Sequence, residues 1–191
     1  MENSAETIEY KGHTINIFYD DCYYSPREND NICVFHIAHK RYSFGDINHN
    51  DYESIKKAER EARRNKDIVL PLYMYDHGGI TISLSPFSCP WDSGTVGFVQ
   101  ISRKKIIEEF GKKIFTKQLK EKALEIAQAE VSEMDSYIRG EIYRYVIDEN
   151  INSYGGYIGD IKYCIEDAKD AVDCMVKEAE KGLLFPIQEK V

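Results

Sequence analysis

A chain of 191 residues with 42% hydrophobic and 12% aromatic content is long enough to bury a core, and its composition excludes wholesale disorder. Its net charge of −8 argues against a dedicated nucleic-acid binder, which needs a basic face to displace counterions. The same charge suits contact with basic surfaces, including those of proteins that grip nucleic acid, and it also serves plain solubility.

Cys22, Cys33, Cys89, Cys164 and Cys174 are odd in number and form no CxxC pair, so neither a disulfide framework nor a zinc ribbon is expected. The opening residues are polar and acidic, unlike a signal peptide, and no apolar run approaches the roughly 20 residues of a membrane helix. These features predict a reduced, cytoplasmic protein with no membrane association.

Residues 6–20 read as a hairpin turning at Lys11-Gly12, with Ile15 and Ile17 on one side. Residues 23–30 are a polar loop broken by Pro26, and residues 31–38 return as a largely apolar strand. His36 and His39 lie three apart, which on a strand sends them to opposite faces and argues against a shared metal. The basic turn His39–Asp46 follows, suited either to meeting an anion or to solvation. Asn50 or Asp51 caps a surface helix over 51–65, whose apolar stripe is only Ile55, Ala58 and Ala62.

Residues 68–75 predict a strand that Pro71 relegates to an edge or a bulge. Asp76-His77-Gly78-Gly79 is a hairpin turn, and residues 80–84 alternate as a half-buried strand. Residues 85–94 form a loop fixed by Pro86, Pro90 and Gly94, and residues 95–101 form the next strand. Ser102 caps a short helix to Phe110, and a long helix from Thr116 carries the stripe Leu119, Ala123, Ala127, Val131, Met134 and Ile138. A strand over 141–148, a glycine-bearing loop over 150–159 and a helix over 160–181 complete the order, with a tail at 183–191 that docks by Leu184 and Phe185. The expected fold is α+β: a single domain over 1–191, a mainly antiparallel sheet and about four helices packed on it.

The chemistry-bearing residues concentrate in 76–93. Asp76, His77, Cys89 and Asp92 are the residue types of a small hydrolase or nuclease site. The turn at 76–79 and the loop at 85–94 leave opposite ends of strand 80–84, about 16 Å apart at ~3.3 Å per residue, which strains a direct Cys89–His77 pair. Strand-end acids Asp20, Asp21, Asp46 and Asp76 are the other catalytic option, converging on a divalent cation; nothing in their spacing marks a metal site. In the loop itself, Trp91 and Phe87 supply apolar bulk, and Asp92 and Ser93 suit an Asx turn. Such a loop is either a packed plug or a displayed interaction hot spot. P-loop, GxGxxG, HExxH and GxSxG motifs are absent, and no cofactor is expected.

The string from Tyr75 to Phe98, with Pro-Phe-Ser-Cys-Pro-Trp-Asp-Ser-Gly at its centre, resembles a family of uncharacterised small proteins of phages, prophages and conjugative elements. The similarity runs from the Arg41–Asp46 turn to the strand near 147. The family has no assigned catalytic residues to carry over. What the resemblance implies is an accessory protein that acts against host defence. The leading expectation is therefore a non-enzymatic inhibitor of a host defence or nucleic-acid-handling protein, of anti-CRISPR or antirestriction type, that binds no nucleic acid directly. Its expected binding residues are Phe87, Trp91, Asp92 and Ser93, with acidic faces on helices 51–65 and 160–181. The alternatives are the hydrolase or nuclease and a homo-oligomeric structural protein, for instance a homodimer.

Overall fold

The computed structural model describes residues 4–21, 24–149 and 152–181. Cys22, the helix stop at Gly182 and the tail with Leu184 and Phe185 lie outside them. In chain order the strands and helices are β1 (Glu6–Tyr10), β2 (His13–Tyr19), β3 (Cys33–Ile37), β4 (Ile47–Asn48), α1 (Tyr52–Arg64), β5 (Ile68–Asp76) and β6 (Ile80–Ser83). They continue with β7 (Ser93–Ile101), α2 (Arg103–Glu109), α3 (Lys117–Ile138), β8 (Ile142–Ile147), β9 (Asn152–Ile158) and α4 (Ile161–Glu180). The class is α+β, with mainly antiparallel pairing as expected. The strands make two sheets rather than one, and the chain divides into two compact units.

One unit joins residues 1–23 to 140–191. Its sheet runs β1-β2-β8-β9, all antiparallel. Ile15, Ile17, Tyr145 and Ile147 on one face meet Cys164, Ala168 and Val172 of α4, and together they form the core. Asp160 caps α4 by accepting a bond from the Lys162 N–H. β9 replaces the loop predicted for 150–159; its glycines are accommodated by a register shift opposite Tyr143/Arg144.

The other unit, residues 24–139, carries the second sheet in the order β4-β3-β7-β5-β6. α3 lays its stripe on this sheet; Leu119, Ala123, Ala127, Val131 and Met134 are all buried against residues such as Phe35, Leu72 and Ile82. The alanines let the helix approach closely, and each buried Leu, Ile or Val side chain contributes about 1.5–3 kcal/mol. Asp135 on the same helix accepts from Thr81 Oγ1 and the Ile82 N–H, which ties α3 to the sheet's edge strand. α1 rests on the sheet by Ile55 and Ala62 against Phe98. Pro71 sits on the part of β5 that β6 does not reach, and the β5–β7 register shifts between Leu72 and Tyr73.

A buried ion cluster closes one end of this unit. The Arg27 side chain is only 7% exposed. It donates to Asp46, to Glu130 and to the Cys33 carbonyl, and its guanidinium lies 4.1 Å from the Phe35 ring centroid. The carboxylates also accept backbone N–H groups: Phe35 to Asp46, Ile32 and Cys33 to Glu130. Among the described residues no helix is long and apolar enough to cross a membrane.

Candidate functional site

The geometry of the 76–93 region follows from strand order. β5 ends at Asp76, and the turn at His77–Gly79 is closed by the His77 N–H donating to the Gly79 carbonyl at 3.1 Å. β6 pairs on one side of β5, and β7 on the other. The chain therefore crosses from one side of β5 to the other through residues 84–92. β7 starts beside the end of β5, with Tyr75 opposite Ser93, and the Asp76 N–H donates to the Asp92 carbonyl at 2.8 Å.

This overturns the separation reckoned along strand 80–84. The loop's second half returns to the turn at 76–79. His77 Nδ1 lies 3.3 Å from Asp92 Oδ2, and Cys89 Sγ donates to the same oxygen at 3.7 Å. Asp92 is thus occupied by an imidazole and a thiol, in place of the Asx turn expected of it. Ser93 does support the loop, its hydroxyl donating to the Cys89 carbonyl.

The loop is displayed. Trp91 is 91% exposed, the highest value among the exposed large hydrophobic residues described. Phe87 plays a different part: half-buried, its ring lies 5.8 Å from that of Tyr75, which anchors the base of the loop. Tyr75 in turn lies 6.1 Å from the His77 ring. A polar hollow of about 370 Å³ opens beside Trp91, lined also by His39, Arg41, Asp76 and Thr95. The basic turn does meet an anion there, one of its own chain. Arg41 pairs with Asp76, and Tyr42 donates to the other Asp76 oxygen at 3.3 Å.

The strand-end acids do not converge. Asp20 accepts from the Gly156 N–H, Asp46 holds Arg27, and Asp76 holds Arg41, while Asp21 is exposed. Among the described residues no group of three or more His, Cys, Asp or Glu is placed to hold a metal ion. His36 and His39 part company as expected of a strand. His39 stacks on Tyr42, and His36 is buried against Phe98 and bonded to His49 at 3.0 Å, a partner the spacing did not suggest.

Charge is segregated between the two units. Residues 1–23 and 140–191 hold 16 acidic and 7 basic residues, a net −9, whereas residues 24–139 hold 17 and 18, a net +1. The segment carrying α4, 160–181, has seven acids against four bases. The acidic face expected on helix 51–65 is corrected. That segment has five bases against four acids, and Glu59 on α1 is taken up by Lys56 and Arg63.

Comparison with protein-family models, with curated proteins and with solved structures returned no match.

Proposed function

We propose that this chain is a non-enzymatic binding protein of a mobile element. On this reading it acts in the host cytoplasm and inhibits a host protein of nucleic-acid-directed defence, of anti-CRISPR or antirestriction type. The observation that carries the binding role is Trp91. An indole left 91% exposed on a loop braced by Ser93, Phe87 and the Asp92 contacts has the composition and rigidity of an interface hot spot. The net −9 of one unit supports a basic partner, such as the nucleic-acid channel of a defence enzyme. The likeness of residues 75–98 to proteins of phages and conjugative elements supplies the setting.

The test is affinity capture by the tagged protein from host lysate at low and moderate salt, followed by binding measurements on any stoichiometric partner. Trp91→Ala is expected to weaken that complex by more than about 1–2 kcal/mol, the range of a hot spot. His77→Ala and Cys89→Ala are expected to change it little.

A small hydrolase or nuclease is the second reading, favoured by the convergence of His77 and Cys89 on Asp92 Oδ2. In a Cys–His nucleophile the base touches the sulfur. Here the carboxylate is the partner of both, and among the described residues no hydrogen bond joins His77 to Cys89. Loss of a measured activity in His77→Ala or Cys89→Ala, with the fold intact, would establish this reading and end the first.

A further inference from the structure

The whole-chain charge conceals two base-rich segments in the unit of residues 24–139. Residues 56–66 hold six bases and two acids, and residues 103–122 hold eight and three. These segments are far apart in sequence, but the fold brings their ends together. Lys66 at the end of α1, Arg103 at the start of α2, and Phe115 and Lys120 around the start of α3 line one hollow of about 470 Å³. A second hollow of about 530 Å³ shares Asp67 and Arg103 with it and adds Asn65, Lys104 and Glu108.

Three details make this a candidate site and not merely a solvated charge run. First, no side-chain ion pair to a carboxylate is found among the described residues for Lys66, Arg103 or Lys120, whereas Lys104 pairs with Glu108 at 3.8 Å. The only acid of the first hollow, Asp67, already accepts the Gln100 amide at 2.8 Å and the Arg103 N–H at 3.1 Å. Second, Arg103 is half-buried with its guanidinium 4.5 Å from the Phe115 ring centroid, which presents a pinned planar cation at the hollow. Third, Lys66 has φ +60°, at the helix-ending position where glycine is the unstrained choice. A cation is kept there against the backbone's preference.

We propose that this trough binds single-stranded nucleic acid. Lys66, Lys104 and Lys120 meet phosphates, and a base stacks on the plane of Arg103 beside Phe115. A flat base fits a hollow of that size, whereas a duplex keeps its bases stacked inside. The inference stands apart from the inhibitor reading and is tested on the purified protein without any host partner.

The experiment is fluorescence anisotropy with labelled 12-nucleotide single strands of DNA and RNA, the matching duplex, and heparin and poly-glutamate as competitors, from 50 to 200 mM salt. The expected result is saturable single-strand binding whose log–log salt slope is about −2 to −3, as three or four neutralised phosphates give. Arg103→Gln, Lys120→Gln and Lys66→Gly should each weaken it several-fold. Lys66→Gly should at the same time leave the melting temperature unchanged or higher, which separates lost binding from lost folding. Arg103→Lys should not restore the affinity lost in Arg103→Gln, because the stacking plane is gone. Absence of binding at 50 mM salt, or binding indifferent to these substitutions, would overturn the proposal. Equal affinity for the duplex would refute the single-strand assignment, and poly-glutamate competing as well as the oligonucleotide would point instead to an acidic protein.

Discussion

Replacing Arg27 by Met keeps an unbranched, flexible side chain but shortens it and removes its charge. Four hydrogen bonds disappear, at 3.1 and 2.8 Å to Asp46, 2.9 Å to Glu130 and 2.6 Å to the Cys33 carbonyl. Asp46 and Glu130 keep their backbone donors but lose the cation between them, with side chains only 23% and 12% exposed. Breaking a buried ion pair by removing one partner costs about 3–5 kcal/mol, mostly through the charge left unpaired. The expected loss is therefore about 3–5 kcal/mol, a large share of a typical domain's stability. Urea unfolding followed by circular dichroism reads it as a lower midpoint with little change in slope. Adding Asp46→Asn and Glu130→Gln to Arg27→Met should recover part of the loss, because the stranded charges are gone while the side-chain oxygens remain to accept N–H groups. A single-variant loss below about 1 kcal/mol, the range of an exposed pair, would refute the cluster's structural role.

Further outcomes follow from other residues. Gly97 faces β3 so closely that a Cβ would lie 1.9 Å from the His36 carbonyl oxygen. Gly97→Ala is therefore expected to cost at least ~3 kcal/mol, the upper end for overpacking, or to prevent folding; a midpoint within error of wild type would contradict it. His36 is held below its ordinary value of 6.5 by burial. Gln100 donates its amide to Asp67, so its carbonyl oxygen faces His36 Nε2, which must carry the proton; Nδ1 then accepts from His49. The unfolded chain takes up a proton before the folded one does, so this contribution is complete above pH 6.5 and is lost as pH falls below it. Unfolding midpoints from pH 8 to 5 should show that fall, reduced in His36→Gln; an unchanged slope in the variant would assign the effect elsewhere. Trp91 is the only tryptophan, so its fluorescence should be that of a fully hydrated indole and be quenched readily by iodide. A blue-shifted, protected emission would contradict the displayed loop.

Much of the fold was legible because its elements are patterned locally. The α3 stripe from Leu119 to Met134 repeats at helical spacing and is buried where the pattern says. Asp51, Ser102, Thr116 and Asp160 cap their helices through the side-chain contacts their identities suggest. β9 reads as a loop in the sequence because Gly155 and Gly156 have no strand preference of their own; pairing with Arg144 of β8 places Gly155 in the strand, while Gly156, at φ +83°, takes up the register shift.

The meeting of His77 and Cys89 at Asp92 was missed for a topological reason. Local sequence supplies only the distance along β6, whereas contact is made across β5, and the order β7-β5-β6 is not written in any local stretch. The charge segregation was hidden in the same way, since only the fold groups residues 1–23 with 140–191. The bases of α1, by contrast, were open to counting.

The most direct test of the inhibitor account is a defence assay in host cells that carry an active restriction or CRISPR system. Transformation by a targeted plasmid is measured with the wild-type protein, with Trp91→Ala, and with His77→Ala and Cys89→Ala, at equal expression. The account predicts that wild type and the His77 and Cys89 variants restore transformation and that Trp91→Ala does not. Restoration by Trp91→Ala together with failure of Cys89→Ala or His77→Ala would contradict it and make the chain an enzyme.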